Sequence, residues 1–364
     1  MTKKDYISTI VIVLIIILAI NILVSTLAGN ELSKKLDAKI EASKPAQISI
    51  IKILSDCKDC FDLSPIITAI KSGNVKVTEE IALGYKEANE FIQKYNIDKL
   101  PTVIIKGDIN KLSKNGFETV NDALVFKNTK APYYGLKNNQ VEGLVEVTII
   151  NNKACDKCSD LSFLKMQLEK AGIKISNYQI LDYNEKDAKE IINKYQIKKL
   201  PTMLISKDLV VYDLAKAWVN VGIVNDDGSY LLTKAQPPYY DLTDNKIKGL
   251  VTLSVIYDSN CKDCQDKSLQ ENALKSIGIS FVEKKEYDVD STEGRDLIKK
   301  YAITKLPASI MSSDVSAYDG IDKIWQQVGT KETDGFYVLR NADLLGSYKD
   351  LKTGQVVKKE DNSE

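Results

Sequence analysis

Two short motifs occur three times each in this chain, always in the same order and at almost the same separation. The first is a Cys-x-x-Cys pair, and its copies are Cys57/Cys60, Cys155/Cys158 and Cys261/Cys264. Successive first cysteines lie 98 and 106 residues apart. A period this long is typical of whole small domains in tandem, whereas the turns of a solenoid repeat over fewer residues. The chain is therefore predicted to contain three copies of one domain.

The second motif reads Lys-Tyr-x-Ile-x-Lys-Leu-Pro, and its proline follows the first cysteine of the copy by 44 to 46 residues. The motif prolines are Pro101, Pro201 and Pro307. A third landmark, Pro-Tyr-Tyr and then Gly-Leu-Val, closes the first two copies from Pro132 and Pro238. The last copy keeps a trace of it at Tyr348. We expect these tyrosines to be packing or turn residues rather than a ligand cage.

Each copy shows the same alternation of strand and helix patterns. An apolar, β-rich run precedes the cysteine pair. These runs are residues 48–54, 145–150 and 251–257. A segment with helical spacing follows and ends at a glycine, where a left-handed C-cap is expected. The glycines are Gly73, Gly172 and Gly278. A second strand and a second helix then lead to the proline motif, with Asn184 and Ser291 as expected helix caps in the last two copies. The order β-α-β-α-β with further strands behind it predicts an α/β domain.

The repeats also define the expected domain boundaries. In chain order we predict a membrane anchor over 1–29, a charged stalk over 30–45, domains over 46–143, 144–249 and 250–358, and a polar tail over 359–364.

The N-terminal segment is apolar from Ile7 to Leu27. Because about 20 apolar residues cross a bilayer as a helix, we expect a single-pass membrane anchor. A signal peptide cleaved after Ala28 is the alternative. Lys3 and Lys4 favour a cytoplasmic N-terminus. The three domains would then lie outside the cytoplasm, in an oxidising space that suits cysteine pairs.

Composition excludes several classes of function. The chain has no histidine, which removes Ser-His-Asp and Cys-His nucleophiles and His-containing zinc sites. Its 50 basic and 50 acidic residues cancel, and all the basic residues except Arg295 and Arg340 are lysines dispersed among acids. Since there is no arginine-rich stripe to bind phosphate, we expect no nucleic-acid partner.

A Cys-x-x-Cys pair between a strand and a helix is suited to disulfide exchange. If the pair opens the helix, unpaired N–H groups and the helix dipole favour the thiolate of the first cysteine. That thiolate attacks a partner's disulfide, and the second cysteine resolves the mixed disulfide. The expected nucleophiles are Cys57, Cys155 and Cys261, and the expected resolving residues are Cys60, Cys158 and Cys264.

Together these motifs resemble the thioredoxin superfamily, over about residues 46 to 360. The family pattern Tyr-x-Ile-x-x-x-Pro-Thr is complete in the first two copies, and the third has Ala308 in place of the threonine. The resemblance implies an α/β fold of three tandem thioredoxin-like domains, each a mixed central sheet flanked by helices, after the N-terminal transmembrane helix. It also implies a cis peptide bond before each motif proline, a helix kink at Pro65, and no cofactor. The residues implied to form a peptide-binding edge by backbone pairing are Leu100, Pro101, Leu200, Pro201, Leu306 and Pro307.

The chain departs from the family at the strand position six residues before the first cysteine, where thioredoxin buries an acid. The residues there are Ile51, Ile149 and Val255. A proton acceptor is therefore expected to be missing. The oxidase, isomerase and reductase directions all stay open.

The function predicted from the sequence is that of a membrane-anchored, extracytoplasmic thiol-disulfide oxidoreductase. Its expected clients are cysteine-containing secreted or surface proteins. It would need a separate redox partner, in the membrane or elsewhere, because the membrane segment contains no cysteine. Two alternatives stay open. One is a non-catalytic interaction or scaffold protein with structural disulfides. The other is a protein that binds metal through its cysteine pairs.

Overall fold

The computed structural model describes residues 33–36, 39–41 and 43–358. The chain divides into two compact units, Met1–Glu142 and Gly143–Glu364. The predicted membrane anchor over 1–29 and the polar tail over 359–364 lie outside the described residues. Within the described residues, no helix has the length and apolar character needed to cross a membrane. Residues 33–36 and 39–41 of the expected stalk are helical and exposed.

The first unit contains one copy of the repeat. Its strands are β1 Ala46–Leu54, β2 Val75–Gly84, β3 Lys99–Leu100, β4 Thr102–Gly107, β5 Phe117–Val120, β6 Ala123–Phe126, β7 Tyr133–Gly135 and β8 Gln140–Glu142. Its helices are α1 Ser64–Lys71 and α2 Asn89–Lys94, with a 3-10 turn at Ile109–Lys111. The main sheet has the order β2-β1-β4-β6-β5. Strand β1 is parallel to β2 and antiparallel to β4.

The second unit contains the other two copies. The strands of the second copy are β9 Leu144–Asn151, β10 Lys174–Asp182, β11 Lys199–Leu200, β12 Thr202–Ile205, β13 Gly222–Val224, β14 Tyr230–Leu232, β15 Tyr239–Asp241 and β16 Lys246–Lys248. Its helices are α3 Phe163–Lys170, α4 Lys186–Tyr195 and α5 Leu214–Ala217, with 3-10 turns at Lys207–Val211 and Trp218–Asn220. The main sheet of this copy, β10-β9-β12-β14-β13, repeats the first order.

The third copy follows directly. Its strands are β17 Val251–Tyr257, β18 Phe281–Asp288, β19 Lys305–Leu306, β20 Ala308–Met311, β21 Gly329–Lys331, β22 Tyr337–Leu339, β23 Tyr348–Asp350 and β24 Val356–Val357. Its helices are α6 Ser268–Ser276, α7 Thr292–Lys300 and α8 Ile321–Val328, with 3-10 turns at Ser313–Ala317 and Ala342–Leu344. The sheet order β18-β17-β20-β22-β21 is the same again. The mixed α/β architecture with three similar sheets fits the three tandem domains predicted from the sequence.

The opening strand of each copy lies inside its sheet and is covered on both faces. In β1, Ile48 and Ile50 belong to the core that contains α1, whereas Ile51 and Ile53 belong to the core that contains α2. Neighbouring strand residues point to opposite faces, so the two helices lie on opposite sides of the sheet. This double coverage explains why the run from Ile48 to Leu54 is almost continuously apolar.

Each copy also has a small three-stranded sheet that the sequence analysis did not predict. These sheets are β3-β7-β8, β11-β15-β16 and β19-β23-β24. Their first strands contain the Lys-Leu of the proline motif, and their second strands contain the Tyr-Tyr landmark or its trace. The small sheets therefore bring the second and third sequence landmarks together.

Some predictions about helix ends are confirmed and others are wrong. Gly172 and Gly278 have φ angles of 81° and 89°, as a left-handed C-cap requires. The prediction for Gly73 is wrong, because the φ angle of this glycine is not in the left-handed region. The prediction of a helix kink at Pro65 is also wrong. This proline lies in the first turn of α1, where its missing N–H costs no hydrogen bond.

The two predicted N-caps have different outcomes. Ser291 Oγ accepts the N–H of Gly294 at 3.0 Å and caps α7. Asn184 caps no helix, because the N-cap residue of α4 is Glu185, one position further along the chain. The Ser291→Ala change should destabilise α7 by about 1 kcal/mol through loss of the cap. Asn184→Ala serves as the control and should stay within about 0.5 kcal/mol. Hydrogen exchange in α7 and α4 would measure both effects, and equal losses would contradict the assignment of the cap.

Candidate functional site

All six cysteines are joined in disulfides, each within its own Cys-x-x-Cys pair. The bonds are Cys57–Cys60, Cys155–Cys158 and Cys261–Cys264. Each pair lies in the turn between the opening strand and the first helix of its copy. Cys155 is 8% exposed, and the other five are partly exposed. Solvent therefore reaches at least one sulfur-bearing residue of every pair. The assignment of attacking and resolving cysteines stays a prediction.

The expectation that each pair opens its helix is wrong. Helix α1 begins at Ser64, four residues beyond Cys60, and α3 begins at Phe163, five residues beyond Cys158. Helix α6 begins at Ser268, four residues beyond Cys264. Since the helix dipole acts within the first turn, it offers the sulfurs little support in this oxidised form. A lowered thiol pKa would have to come from other groups.

The segment between pair and helix is ordered by an Asp-x-Ser turn that occurs in all three copies. The carboxylates of Asp62, Asp160 and Asp266 accept the N–H of Ser64, Ser162 and Ser268 at 2.8, 2.8 and 2.7 Å. The full pattern is therefore Cys-x-x-Cys-x-Asp-x-Ser, which is visible in the sequence but was missed. This local bond is a side-chain turn of the kind that Asp favours.

These turns should make folding stability depend on acidity. The backbone N–H of Ser64 lowers the pKa of Asp62 below its usual 3.8, and hydrogen bonds from Ser162 and Ser268 lower the pKa of Asp160 and Asp266. A carboxyl group with a lowered folded pKa stabilises the fold above the unfolded pKa, and this contribution is lost as the pH falls through the folded value.

We therefore expect the triple variant Asp62→Asn, Asp160→Asn and Asp266→Asn to lose stability at pH 6. It should also lose less stability than the parent chain on going from pH 6 to pH 3, because amides do not titrate. Urea unfolding at the two pH values, followed by circular dichroism, would measure this. An unchanged difference between the two pH values would contradict the role of these turns.

The motif prolines lie where the resemblance placed them. The peptide bonds before Pro101, Pro201 and Pro307 are cis, which confirms that prediction. In the first domain, Pro101 lines one cavity of about 580 Å³ together with Cys57 and Cys60. The first sulfur pair and its proline therefore face a common space.

A short segment holds each cysteine turn against its proline motif. We call these segments the straps and define them as residues 132–136, 238–242 and 347–351. In each copy the residue after the second cysteine donates its N–H to the first carbonyl of the strap. The bonds are Phe61 to Pro132 at 2.8 Å, Ser159 to Pro238 at 2.9 Å and Gln265 to Ser347 at 2.7 Å. The straps of the first two copies begin with an additional cis proline, Pro132 and Pro238.

The straps pair with the leucines that precede the motif prolines. The paired positions are Leu100 with Tyr134, Leu200 with Tyr240 and Leu306 with Lys349. All three leucines are fully buried. The edge expected to pair with a client is thus already paired within the chain. Substrate binding at the leucines and prolines stays a prediction, and strand addition there would require the strap to move.

A lysine-aromatic contact reinforces each strap. The ammonium groups of Lys99, Lys199 and Lys305 lie 4.3, 4.5 and 4.8 Å from the ring centroids of Tyr133, Tyr239 and Tyr348. Such contacts contribute about 0.5–1 kcal/mol each at exposed sites. Tyr133 and Tyr239 are 7% and 6% exposed, so these two act as packing residues, as predicted. Tyr348 shows that the third copy keeps the same contact.

Strand register corrects one position in the sequence comparison. Lys52 pairs with Val103, Ile149 with Met203 and Val255 with Ser309, each two residues beyond the motif proline. The residue of the first domain that matches Ile149 and Val255 is therefore Lys52, and Ile51 was the wrong match. The cause is a loop before Cys57 that is one residue shorter than in the other copies. Lys52 lines the cavity of Cys57 and forms an ion pair with Glu80 at 2.9 Å.

The third domain has an ion pair where the first two have paired tyrosine rings. The strap residues Tyr134 and Tyr240 contact Tyr85 and Tyr183, with ring centroids 5.2 and 5.3 Å apart. In the third strap, Lys349 bonds to the carboxylate of Asp258, whose side chain is 3% exposed. The three sites therefore share a backbone arrangement but differ in the groups around it.

A metal centre gains no support from the described residues. None of their cysteines and acidic residues form a group of three or more that could hold an ion. The metal-binding alternative would thus need ligands from elsewhere.

Comparisons with known proteins return structural matches at low similarity. No family model matches the chain, and no curated protein does. The alkylhydroperoxide reductase component AhpF of Enterococcus faecalis is 13% identical over 48% of this chain and 89% of that chain, with a TM-score of 0.16. Human ERp44 is 11% identical over 84% of this chain and 94% of that chain, with a TM-score of 0.14. A protein disulfide oxidoreductase from Aeropyrum pernix k1 is 12% identical over 47% of this chain and 77% of that chain, with a TM-score of 0.14.

Scores this low carry no argument, so the fold assignment depends on topology and on the site. In each copy a parallel β-α-β unit is followed by three antiparallel strands of the main sheet. A cysteine pair precedes the first helix, and a cis proline precedes the third main strand. With this arrangement present three times, the described part of the chain consists of three thioredoxin-like domains.

Proposed function

We propose that the protein is a thiol-disulfide oxidoreductase with one redox site in each domain. The observation that supports this most strongly is the threefold occurrence of a Cys-x-x-Cys disulfide in a domain whose third main strand follows a cis proline. A disulfide that closes so short a loop adds little stability by restricting the unfolded chain. The presence of both cysteines in all three copies therefore favours redox-active disulfides over purely structural ones.

The proposed reaction is exchange through a mixed disulfide. In the reduced form, a thiolate of the pair attacks one sulfur of the client's disulfide and releases the other as a thiolate. The second cysteine of the pair then attacks the mixed disulfide, which frees the client and forms the bond seen here. Two electrons pass to the client, and the reverse sequence oxidises two client thiols. Both directions use the same two exchange steps.

The proposed location comes from the sequence. The apolar segment from Ile7 to Leu27 would anchor the chain in a membrane with the N-terminus in the cytoplasm. The domains would then meet cysteine-containing secreted or surface proteins, and a separate redox partner, in the membrane or elsewhere, would regenerate the sites. Lysines dispersed among acids favour proteins over nucleic acid as partners.

An exchange assay on the soluble part of the chain tests the proposal. The reduced protein is mixed with insulin or with scrambled ribonuclease, and product is followed for the parent and for Cys57→Ser, Cys155→Ser and Cys261→Ser, singly and together. Each single change should remove part of the rate, and the triple change should remove all of it. A triple variant as active as the parent would exclude the enzyme.

A non-catalytic scaffold is the second candidate. The straps favour it, because they occupy the backbone edge that a client strand would use. Under this hypothesis the parent chain shows no exchange above the triple cysteine variant, although it retains its fold by circular dichroism.

A further inference from the structure

The sulfurs of the first domain face a cavity that lies away from the strap. The residues lining the cavity come from the segment between Lys52 and Thr68 and from Pro101. Its volume of about 580 Å³ lies within the range of roughly 300–1,000 Å³ typical of small-molecule sites. Cys57 and Cys60 therefore have an open side that a compact ligand fits.

The strap blocks the other way of binding, which is the addition of a client strand beside Leu100. It is bonded at its start, where Phe61 donates to Pro132 at 2.8 Å, and at its end, where Leu136 donates to Asp98 at 2.9 Å. Between these points Leu100 pairs with Tyr134. An extended peptide would have to break several backbone hydrogen bonds, each worth about 0.5–1.5 kcal/mol, before it could form its own.

The lining of the cavity combines apolar and polar groups. Phe61, Leu63 and Ile67 provide apolar surface. Lys58 and Asp62 provide one charge of each sign, and the ammonium group of Lys52 is paired with Glu80. The hydroxyl of Ser55, which also lines the cavity, is buried and has no hydrogen-bond partner among the described residues. Buried polar groups normally have a partner, so this oxygen is an unpaired polar atom in the wall beside the disulfide.

The cavity depends on a residue particular to the first domain. Lys52 occupies the position that Ile149 and Val255 fill in the other two domains, where they are 2% and 0% exposed. A charged and partly exposed side chain there keeps the space beside the disulfide polar and open. The residue at this strand position, Lys52, thus distinguishes the first domain from the second and third.

We infer that the first domain exchanges with a low-molecular-weight thiol or disulfide bound in this cavity, an inference that rests on the proposed function. The small compound is the redox partner that supplies or removes electrons. The strap slows the reaction of extended peptide strands at the same site.

The exchange is balanced without any further reactant. A thiolate of the reduced pair attacks the small disulfide and displaces one small thiolate, and the second cysteine displaces the other. The Cys57–Cys60 bond forms as the bond of the small disulfide breaks. Two electrons pass to the compound, and the two protons of the dithiol end on the released thiols. Two small thiols reduce the Cys57–Cys60 bond by the reverse steps.

The test uses the full chain with only the first pair retained, through Cys155→Ser, Cys158→Ser, Cys261→Ser and Cys264→Ser. Its reduced form is mixed with hydroxyethyl disulfide or with an extended peptide that carries an internal cysteine as its disulfide with 2-mercaptoethanol. Formation of the Cys57–Cys60 bond is followed by alkylation and mass spectrometry. The small probe should react at least about tenfold faster, the equivalent of one or two backbone hydrogen bonds.

One variant fills the cavity, one removes the charged side chain of Lys52, and one opens the strap. Thr68→Trp should slow the small probe at least about tenfold, whereas Thr119→Trp, the same change on exposed strand β5, is the control. Lys52→Ile introduces the residue that the second domain tolerates, and should also slow the small probe. Tyr134→Pro removes the backbone N–H of the strap residue that pairs with Leu100. The reaction of the peptide probe should then become at least about tenfold faster. Circular dichroism checks the fold of each variant.

Equal rates for the two probes in the parent chain would overturn the inference. So would a small-probe rate for folded Thr68→Trp and Lys52→Ile that matches that of Thr119→Trp. Failure of the proposed function has a different signature: neither probe then reacts, although both thiols of the first pair are free to alkylation.

Discussion

A chain in which serine replaces Cys60, Cys158 and Cys264 should stop at the mixed disulfide and accumulate a covalent adduct with its client. The second cysteine attacks from within the same turn, and well-oriented intramolecular groups act at effective concentrations of about 10⁵ M or more. Any external thiol, at about millimolar concentration, replaces it poorly. Turnover should therefore fall at least about 10³-fold, while the first attack continues.

The adduct is measured by intact-mass spectrometry, and turnover is measured by the insulin assay. The matched control is the set Cys57→Ser, Cys155→Ser and Cys261→Ser, which should form no adduct if the first cysteines attack. Adducts on Cys60, Cys158 or Cys264 in that control set would reverse the assigned roles. Cys155 is only 8% exposed. The second domain is therefore the one in which an attack by the second cysteine would be easiest to explain.

Replacing Trp325 by alanine should destabilise the third domain by about 3–5 kcal/mol, as expected for the loss of a large buried aromatic side chain. Trp325 is 2% exposed, and its Nε1 donates to the carbonyl of Thr330 at 3.1 Å. Its ring lies edge-on to Tyr337, with centroids 6.0 Å apart. The change removes apolar contacts and leaves a cavity in the main core of the domain.

The effect is measured by hydrogen exchange in β17 and β22, because three domains need not unfold in one step. Protection there should fall by about 10²–10⁴-fold. Ile324→Ala is the control, since this neighbour in α8 is 42% exposed and should change stability by no more than about 0.5 kcal/mol. Similar losses in the two variants would contradict the assigned core.

The repeat and the α/β class followed from short sequence patterns, and the cis prolines followed from the family resemblance that these motifs carry. Cysteine pairs, the Lys-Tyr-x-Ile-x-Lys-Leu-Pro motif and long apolar runs specify local structure that the rest of the domain supports. The buried opening strand is an example, since its run from Ile48 to Leu54 needs cover on both faces. The fold could therefore be predicted from patterns within single segments.

The straps could not be predicted, because they depend on pairing between distant segments. Tyr134 meets Leu100 through two strands of two and three residues, which are too short to show alternation. The start of α1 was placed too early for a related reason. The turn made by Asp62 and Ser64 moves the helix away from Cys60, and its Asp-x-Ser signal is only two residues long.

Lys52 was overlooked because equivalent positions were counted from the cysteines and not from the strands. The loop before Cys57 is one residue shorter than in the sister domains, and a shift of one residue moves a strand position to the opposite face. Counting back from Cys57 therefore selected Ile51, on the wrong side of the sheet. Only the strand pairing identifies the lysine, because Lys52, Ile149 and Val255 each pair with the residue two positions beyond the motif proline.

The most direct test of the account is the reduction potential of each cysteine pair in the intact chain. The protein is equilibrated with buffers of defined thiol-disulfide ratio, alkylated, digested and analysed by mass spectrometry. We expect three two-electron transitions at potentials less negative than about −300 mV, the region of exchange-active pairs. Pairs that all stay oxidised below about −300 mV would be structural disulfides, and that result would contradict the proposed chemistry.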